Sequence, residues 1–370
     1  MNKVAILTFH RTNNYGAALQ AYALQKVLNE KYEAEILDYR NPYLESLYLQ
    51  NNLNIKSKIR VIARRLVYPK RTAQLDKRRR RFEKFFEQYF VLSDTAYSQD
   101  NVAQADGRYD AFIAGSDQVW NLHLSRGDWN YFLEFVPPEK RYSYAASIAM
   151  NRTDEGNERI RDDLNQFQSI LVRESKAVDF LSAIGVTKPV TAVSDPVFLL
   201  GADKWRELIP SDSNPRAKKK YVLLYTVANA TNSLEFAKRL AQRENLAVVS
   251  LSSKQSVNVA EGVTNILDAG PIEFLEYIRN ASFVVTSSFH ALAFSVIFNV
   301  PFYYELCRDG GNNNERLENV AGILHLKDRE ITSIEEPGGQ GEPDWGSVNI
   351  ELDKYRHRSE EVLFNSLQGM

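Results

Sequence analysis

Short apolar runs, rich in β-branched residues and mostly closed by Gly, Ser or Asp, alternate with helix-like stretches along most of this chain. "VAILTF" (4–9) leads into an amphipathic stretch from about Tyr15 to Lys31, and "AEILDY" (34–39) follows it. Residues 44–90 read as helical and very basic. "YDAFIAG" (109–115), "RYSYAAS" (141–147), "SILVRE" (169–174) and "VTAVSD" (190–195) are further strands by the same signs. Strands that are apolar throughout, with helices between them, belong to a parallel sheet covered on both faces.

The alternation breaks once and restarts. Residues 201–220, "GADKWRELIPSDSNPRAKKK", are polar, charged and proline-containing, and read as a linker. Beyond them come "YVLLYTVA" (221–228), "LAVVSLS" (246–252), "FVVTSS" (283–288) and "PFYYEL" (301–306), with helices expected over 234–244, about 271–280, from 290, and over about 314–324. A chain of 370 residues exceeds one ordinary core. The expectation is α/β, with two doubly wound, Rossmann-like domains facing a cleft. The first spans 1–200 and the second 221–335, with a tail over 336–370 whose helix, about 349–367, packs back on the first domain. Ligands of such sheets bind at the carboxyl ends of the strands.

Charge is distributed unevenly. The chain carries a net −1, yet residues 56–81 hold twelve Lys or Arg and one Asp, so that segment is +11 and the remainder −12. A positive segment on an acidic body points to an anionic partner, against the simpler reading of a solvated helix face. A single cysteine, Cys307, excludes an intrachain disulfide and fits a reducing compartment. The first apolar run is too short for a signal peptide, and no stretch reaches the roughly 18 apolar residues of a membrane span. A cytoplasmic location is expected.

Four strand ends carry polar groups that a core does not need. In "TFHRTNNYGAALQ", Gly16 opens a helix whose backbone N–H groups can hold a phosphate or a sugar hydroxyl, with Asn14 beside them. A plain helix cap by Asn13 or Asn14 is the competing reading. In "YDAFIAGSDQVWN", Gly115 permits close backbone approach. Asp117 offers a carboxylate to a hydroxyl, and Ser116 and Gln118 complete a sugar-binding lip, unless Asp117 only caps a helix. Arg173 ends an apolar run, where its planar fork suits a carboxylate or phosphate; an ion pair with Glu174 would be the structural alternative. In "VVTSSFHALAFSVIF", His290 falls in the first turn of an apolar helix after two serines. There a histidine would take up a proton as an anionic substrate arrives, which suits a general acid, unless Ser287 or Ser288 merely satisfies it. A Gly- and Asn-rich loop, "RDGGNNNERLENV" (308–320), offers Arg308 or Arg316 to close over an anion.

Other chemistries lack their residues. No Cys/His cluster suits zinc, and no H-E-x-x-H, Walker loop, G-x-G-x-x-G or G-x-S-x-G is present. The arginine run lacks the interleaved aromatics of a nucleic-acid surface, so no nucleic acid is expected.

Taken together, "FHRTNNYGAALQAYALQ", "FIAGSDQVWN", "YSYAAS", "LVRES", "SDPVFLL", "TSSFHALAFSVIFNVPF" and "NNNERLENVAGIL" resemble, in order and over roughly residues 1–330, the polysaccharide pyruvyl transferases. The resemblance implies a glycosyltransferase-B-like pair of domains. It also implies transfer of pyruvyl from phosphoenolpyruvate onto two hydroxyls of one sugar, forming a cyclic ketal and releasing phosphate, with no metal or cofactor. On this resemblance His290 is the general acid and Arg173 a donor-binding arginine. Many members carry Arg two residues before the histidine, where this chain has Ser288; Arg316 or Arg308 is the expected replacement, with Ser287 and Ser288 completing the donor set. Asn14, Gly16, Ser116 and Gln118 are expected at the acceptor, with Asp117 as its base, an inference from chemistry and not from the family. The acceptor would be a capsule or exopolysaccharide unit on a polyprenyl diphosphate. Residues 56–81 would touch that diphosphate or an anionic membrane surface, making the protein peripheral on the inner membrane face. A sugar-nucleotide glycosyltransferase on the same fold and a non-catalytic glycan-binding protein are the alternatives.

Overall fold

The computed structural model describes residues 1–48, 67–148, 156–210, 220–227, 230–251, 260–307, 312–334 and 341–370. The chain divides into two compact units, one of Met1–Arg60, Phe86–Leu200 and Lys354–Met370, the other of Val61–Phe85 and Gly201–Asp353.

In the first unit β1 (Lys3–Leu7), α1 (Tyr15–Leu28), β2 (Glu33–Tyr39), α2 (Pro42–Tyr48), α3 (Pro69–Tyr89), β3 (Leu92–Tyr97) and β4 (Ala111–Ala114) follow in turn, α3 running on from the second unit. Next come β5 (Asp117–Trp120), α4 (Leu122–Ser125), β6 (Arg141–Ser143), β7 (Ala146–Ile148), α5 (Asn157–Leu164), β8 (Ile170–Val172), α6 (Ser175–Ala183) and β9 (Val190–Ala192). A five-stranded parallel sheet has the order β3-β2-β1-β4-β6, with Val4 paired to Ala34 on one side and Ala111 on the other. Val4 to Leu7 are fully buried, as expected of a central strand covered on both faces. The strand order reverses between β1 and β4, which makes the crevice at their carboxyl ends the topological switch point.

The sequence pattern suggested one strand over 141–147. Instead the run feeds two sheets. Ala145 takes a left-handed φ of 47°, which ends β6 and turns the chain into β7. β7 belongs to a second parallel sheet, β5-β7-β8-β9, which begins at Asp117.

The second unit contains α7 (Ala202–Glu207), β10 (Tyr221–Tyr225), α8 (Ser233–Arg243), β11 (Ala247–Leu251), β12 (Val263–Ile266), α9 (Pro271–Arg279), β13 (Phe283–Thr286), α10 (Phe289–Ile297), β14 (Phe302–Tyr304), α11 (Asn312–Ile323) and most of the first half of α12 (Trp345–Ser366). Its five-stranded parallel sheet, β12-β11-β10-β13-β14, reverses between β10 and β13. The residues read as a linker begin with α7, and Trp205 of that helix is completely buried, packed edge-on against Phe294 with centroids 4.9 Å apart. Its indole makes this stretch part of the core; residues 211–219 lie outside the described residues. From Lys354 onward α12 belongs to the first unit, where the Tyr355 ring is tilted against Phe198 and the Ser359 hydroxyl accepts from the Ser194 N–H.

The basic segment also departs from the expected boundary. Residues 56–66 lie outside the described residues, and α3 as far as Phe85 groups with the second unit. Charge explains the grouping. Arg81 pairs with Glu273 at 2.8 Å and donates to the Asp268 carbonyl at 2.6 Å, while Lys77 reaches the Asp268 carboxylate at 3.3 Å. Arg78 is buried, with its guanidinium over the Phe82 ring. Only part of the arginine run therefore faces solvent, Arg80 being its most open member. Among the described residues, no helix is long and apolar enough to cross a membrane.

Candidate functional site at the two switch points

The β1–α1 and β4–β5 loops meet where the first sheet reverses. The Thr8 hydroxyl donates to the Ser116 carbonyl at 2.8 Å and ties one loop to the other. Gly115 has φ 121°, and a Cβ there would collide with the Tyr144 carbonyl oxygen, so the position requires glycine. The Gly115–Ser116 peptide is cis. Ser116 is completely buried and its hydroxyl donates to Gln20 at 2.9 Å. It thus holds the loop and cannot serve in the lip expected from the sequence. Gln118 accepts from the Asn121 side chain. Asn14 is exposed and caps α1 through Gly16 N at 3.0 Å, which leaves Gly16 buried in the first turn.

Arg173 lies in the same unit but not on its surface. Its side chain is 2% exposed. Nη1 donates to Asp195 at 2.6 Å and to Gln20 at 3.3 Å, Nε donates to Glu174 at 3.3 Å, and Nη2 lies 3.8 Å from Asp117. Burial works against the cation, but Glu174, Asp195 and Asp117 outweigh it and raise its pKa. The expected ion pair with Glu174 is present, within a larger network. Glu174 also accepts from Ser147 at 2.7 Å, and Asp195 caps the turn at Pro196–Phe198. Of the three carboxylates, Asp117 alone keeps appreciable exposure, 13% for its side chain, and it sits at a left-handed φ of 80°.

Sequence reasoning passed over Asp195, Gln20 and a second cluster on β1 and β2. Gln20 lies one helical turn past Gly16, a spacing that puts it on the same face of α1. Asp195 stands in a strand-end "SD", the same local signal as at Asp117. His10 is buried between the Thr8 carbonyl (3.2 Å) and Asp38 (3.5 Å), and Asp38 also takes Arg11 and Arg40. Burial opposes ionisation of Asp38, yet hydrogen bonds from His10 and Arg40 and the nearby Arg11 charge hold its carboxyl well below the usual range. A small depression lined by Thr8, His10, Thr12, Tyr39, Asn41 and Tyr131 opens beside them.

In the second unit the switch point carries the serine–histidine junction. The Thr286 hydroxyl donates to the Tyr225 carbonyl at 2.6 Å and accepts from the Ser288 N–H at 2.9 Å, which fixes the turn. Ser287 Oγ accepts from Val227 N across the β10–β13 crevice. Ser288 is the N-cap residue of α10, but its side chain makes no capping bond. His290 follows in the first turn, nine-tenths buried, its ring edge-on to Phe289 at 5.1 Å. Arg316 of α11 is brought to the same turn, its guanidinium 5.9 Å from the Phe289 ring centre. Ser287, Ser288 and His290 thus share one strand–helix junction, Arg316 lies over the ring of Phe289 in that turn, and Arg308 lies outside the described residues. Glu305, at the end of β14, is fully committed elsewhere: its carboxylate accepts from the N–H groups of Thr231, Asn232 and Ser233 and from the Ser233 hydroxyl at 2.6 Å, capping α8.

The sequence model described as polysaccharide pyruvyl transferase matches residues 14–304, from the cap of α1 to the end of β14. The chain belongs to that family. The switch point of the second unit lies within the match, whereas β1, most of the β1–α1 loop and Arg316 lie outside it. No curated protein sequence matches the chain. Among solved structures it is similar to a putative UDP-N-acetylglucosamine 2-epimerase from Listeria monocytogenes, at 11% identity over 97% of this chain and 90% of the other, with a TM-score of 0.54. It is also similar to a UDP-GlcNAc 2-epimerase from Neisseria meningitidis bound to UDP-GlcNAc, at 10% identity over 100% of both chains and TM-score 0.50. At such identities the likeness shows the fold alone, and the chain has the glycosyltransferase-B-like fold of these enzymes.

Proposed function

We propose that the protein transfers the pyruvyl group of phosphoenolpyruvate onto two hydroxyls of one sugar, closing a cyclic ketal and releasing phosphate. The observation that carries this reading is His290 in the first turn of a helix whose N-cap residue gives no side-chain bond, with Arg316 over the ring of the adjacent Phe289. An anion at that helix end would meet backbone N–H groups, a guanidinium and an imidazole together.

The chemistry needs one proton delivered to carbon. Protonation of the donor's methylene by His290 makes C2 oxocarbenium-like, and a sugar hydroxyl attacks it as its own proton leaves to a base. Phosphate departs from the resulting adduct, and the second hydroxyl takes its place on C2. Asp117, the most open carboxylate of the first unit's cluster, is the base we assign to the acceptor, and Asn14, the α1 N-terminus at Gly16 and Gln118 are the further acceptor contacts we assign. Phosphoenolpyruvate is a co-substrate in this scheme, and no metal or cofactor takes part. The acceptor we favour is a lipid-linked surface-polysaccharide unit handled at the cytoplasmic membrane face, with Lys70, Arg80 and the basic residues before α3 meeting anionic lipid or the diphosphate.

A sugar-nucleotide glycosyltransferase is the competing reading, since the fold is shared with sugar-nucleotide enzymes. Against it, Glu305 caps α8 through both carboxylate oxygens and has no lone pair to spare for a ribose. Thermal shift separates the two: stabilisation by phosphoenolpyruvate and none by UDP-sugars is expected, and the reverse would favour glycosyl transfer.

A further inference from the structure

The buried Arg173 network bears on that same reaction and rests on the pyruvyl-transfer reading. A donor-binding arginine has to offer uncompensated charge to a polyanion. Arg173 has three carboxylates around one guanidinium, two of them as buried as itself. Its Nε and Nη1 are already engaged by Glu174, Asp195 and Gln20. To reach phosphoenolpyruvate it would have to leave two desolvated carboxylates uncompensated, which is strongly unfavourable. Its remaining edge, Nη2, faces Asp117.

We infer that Arg173 is a positioning residue, and that with Asp195 and Glu174 it holds Asp117 as the base for the acceptor hydroxyl. Each partner is itself anchored. Asp195 is fixed by the Val197 N–H, Glu174 by the Ser147 hydroxyl, and Gln20 by Ser116, the residue preceding Asp117. The network thus grips the Asp117 loop at two points, through the ion pair and through Ser116. The left-handed backbone of Asp117 needs such a grip, because it is disfavoured for a residue with a side chain. The donor is left to the His290 turn and Arg316.

The test compares Arg173→Lys and Asp195→Asn with wild type. Two readouts are used: hydrogen exchange of the peptide spanning 115–121, and steady-state phosphate release from phosphoenolpyruvate with galactose-, mannose- or N-acetylmannosamine-containing acceptors. Calorimetry measures phosphoenolpyruvate binding alone. Both variants are expected to exchange faster over 115–121, with His290→Gln unchanged there. Both should lose kcat by about thirtyfold while KM and Kd for phosphoenolpyruvate stay within about twofold. Asp195→Asn keeps size and one acceptor oxygen, so it remains informative if Arg173→Lys does not fold. A phosphoenolpyruvate KM raised about tenfold with kcat retained, or unchanged exchange over 115–121, overturns the assignment. If wild type neither binds phosphoenolpyruvate nor releases its phosphate, pyruvyl transfer fails as a reading, and the exchange data still decide whether the network holds Asp117.

Discussion

His290 and Gly115 carry opposite kinds of constraint, one chemical and one steric. Replacing His290 with Gln keeps volume and hydrogen bonding but removes the acid. Phosphate release should fall by at least about a hundredfold, with the melting temperature within a few degrees of wild type. Retained turnover would remove the histidine from the mechanism. Gly115→Ala is a stability experiment. The new methyl would meet the Tyr144 carbonyl at a φ of 121°, so a loss of about 3 kcal/mol or more is expected in chemical denaturation. His290 was legible in the sequence because a histidine at a strand–helix junction stands apart from an apolar background. Arg173 was legible as a strand-end residue and Glu174 as a partner for it, but its other partners were not. Asp195 and Gln20 reach it only through the fold, 22 and 153 residues away in sequence.

Two helices show how sequence charge and structural charge diverge. The arginine run of α3 reads as one continuous positive face, yet Arg78 lies against Phe82 and Arg81 is held by Glu273 and Asp268. Arg81→Ala should therefore cost about 1–2 kcal/mol of stability, because Asp268 is left buried with a weaker partner. Lys70→Ala with Arg80→Ala should leave stability alone and weaken sedimentation with anionic vesicles by roughly fivefold per residue. Equal binding by the doubly substituted protein would end the membrane reading for this helix. At the end of α5, Asp163 titrates near neutrality. Burial first, and then its hydrogen bond to Glu134 and that neighbour's charge, push its carboxyl up to about 7 against the pull of Arg159 and Arg141. A carboxyl raised in the folded state favours folding below its unfolded pKa, near 4, and that contribution is lost as pH rises toward 7. Asp163→Asn should flatten this decline and raise the melting temperature at pH 8 by a few degrees, equivalent to about 1 kcal/mol after allowance for solvent screening. No gain at pH 8 would show that Arg159 already neutralises the site.

For the whole chain, alternation of apolar runs and helices was enough to predict two parallel α/β sheets, because buried central strands such as Val4–Leu7 have little compositional freedom. The sequence pattern did not reveal that the first unit holds two sheets. The break is a single left-handed residue, Ala145, of a type that gives no local warning. The linker expected over 201–220 misled for a related reason: polar residues surround Trp205, and one buried indole outweighs them. The same limit applies to activity, since a shared fold does not fix the reaction, which has to be argued from the residues of the site. The most direct measurement is incubation of the purified protein with phosphoenolpyruvate and the galactose-, mannose- and N-acetylmannosamine-containing acceptors, following phosphate and acceptor mass together. Stoichiometric phosphate release is expected, with an acceptor heavier by one pyruvic acid less one water. Glycosyl transfer from a sugar nucleotide, with no phosphate released from phosphoenolpyruvate under any acceptor, would contradict it.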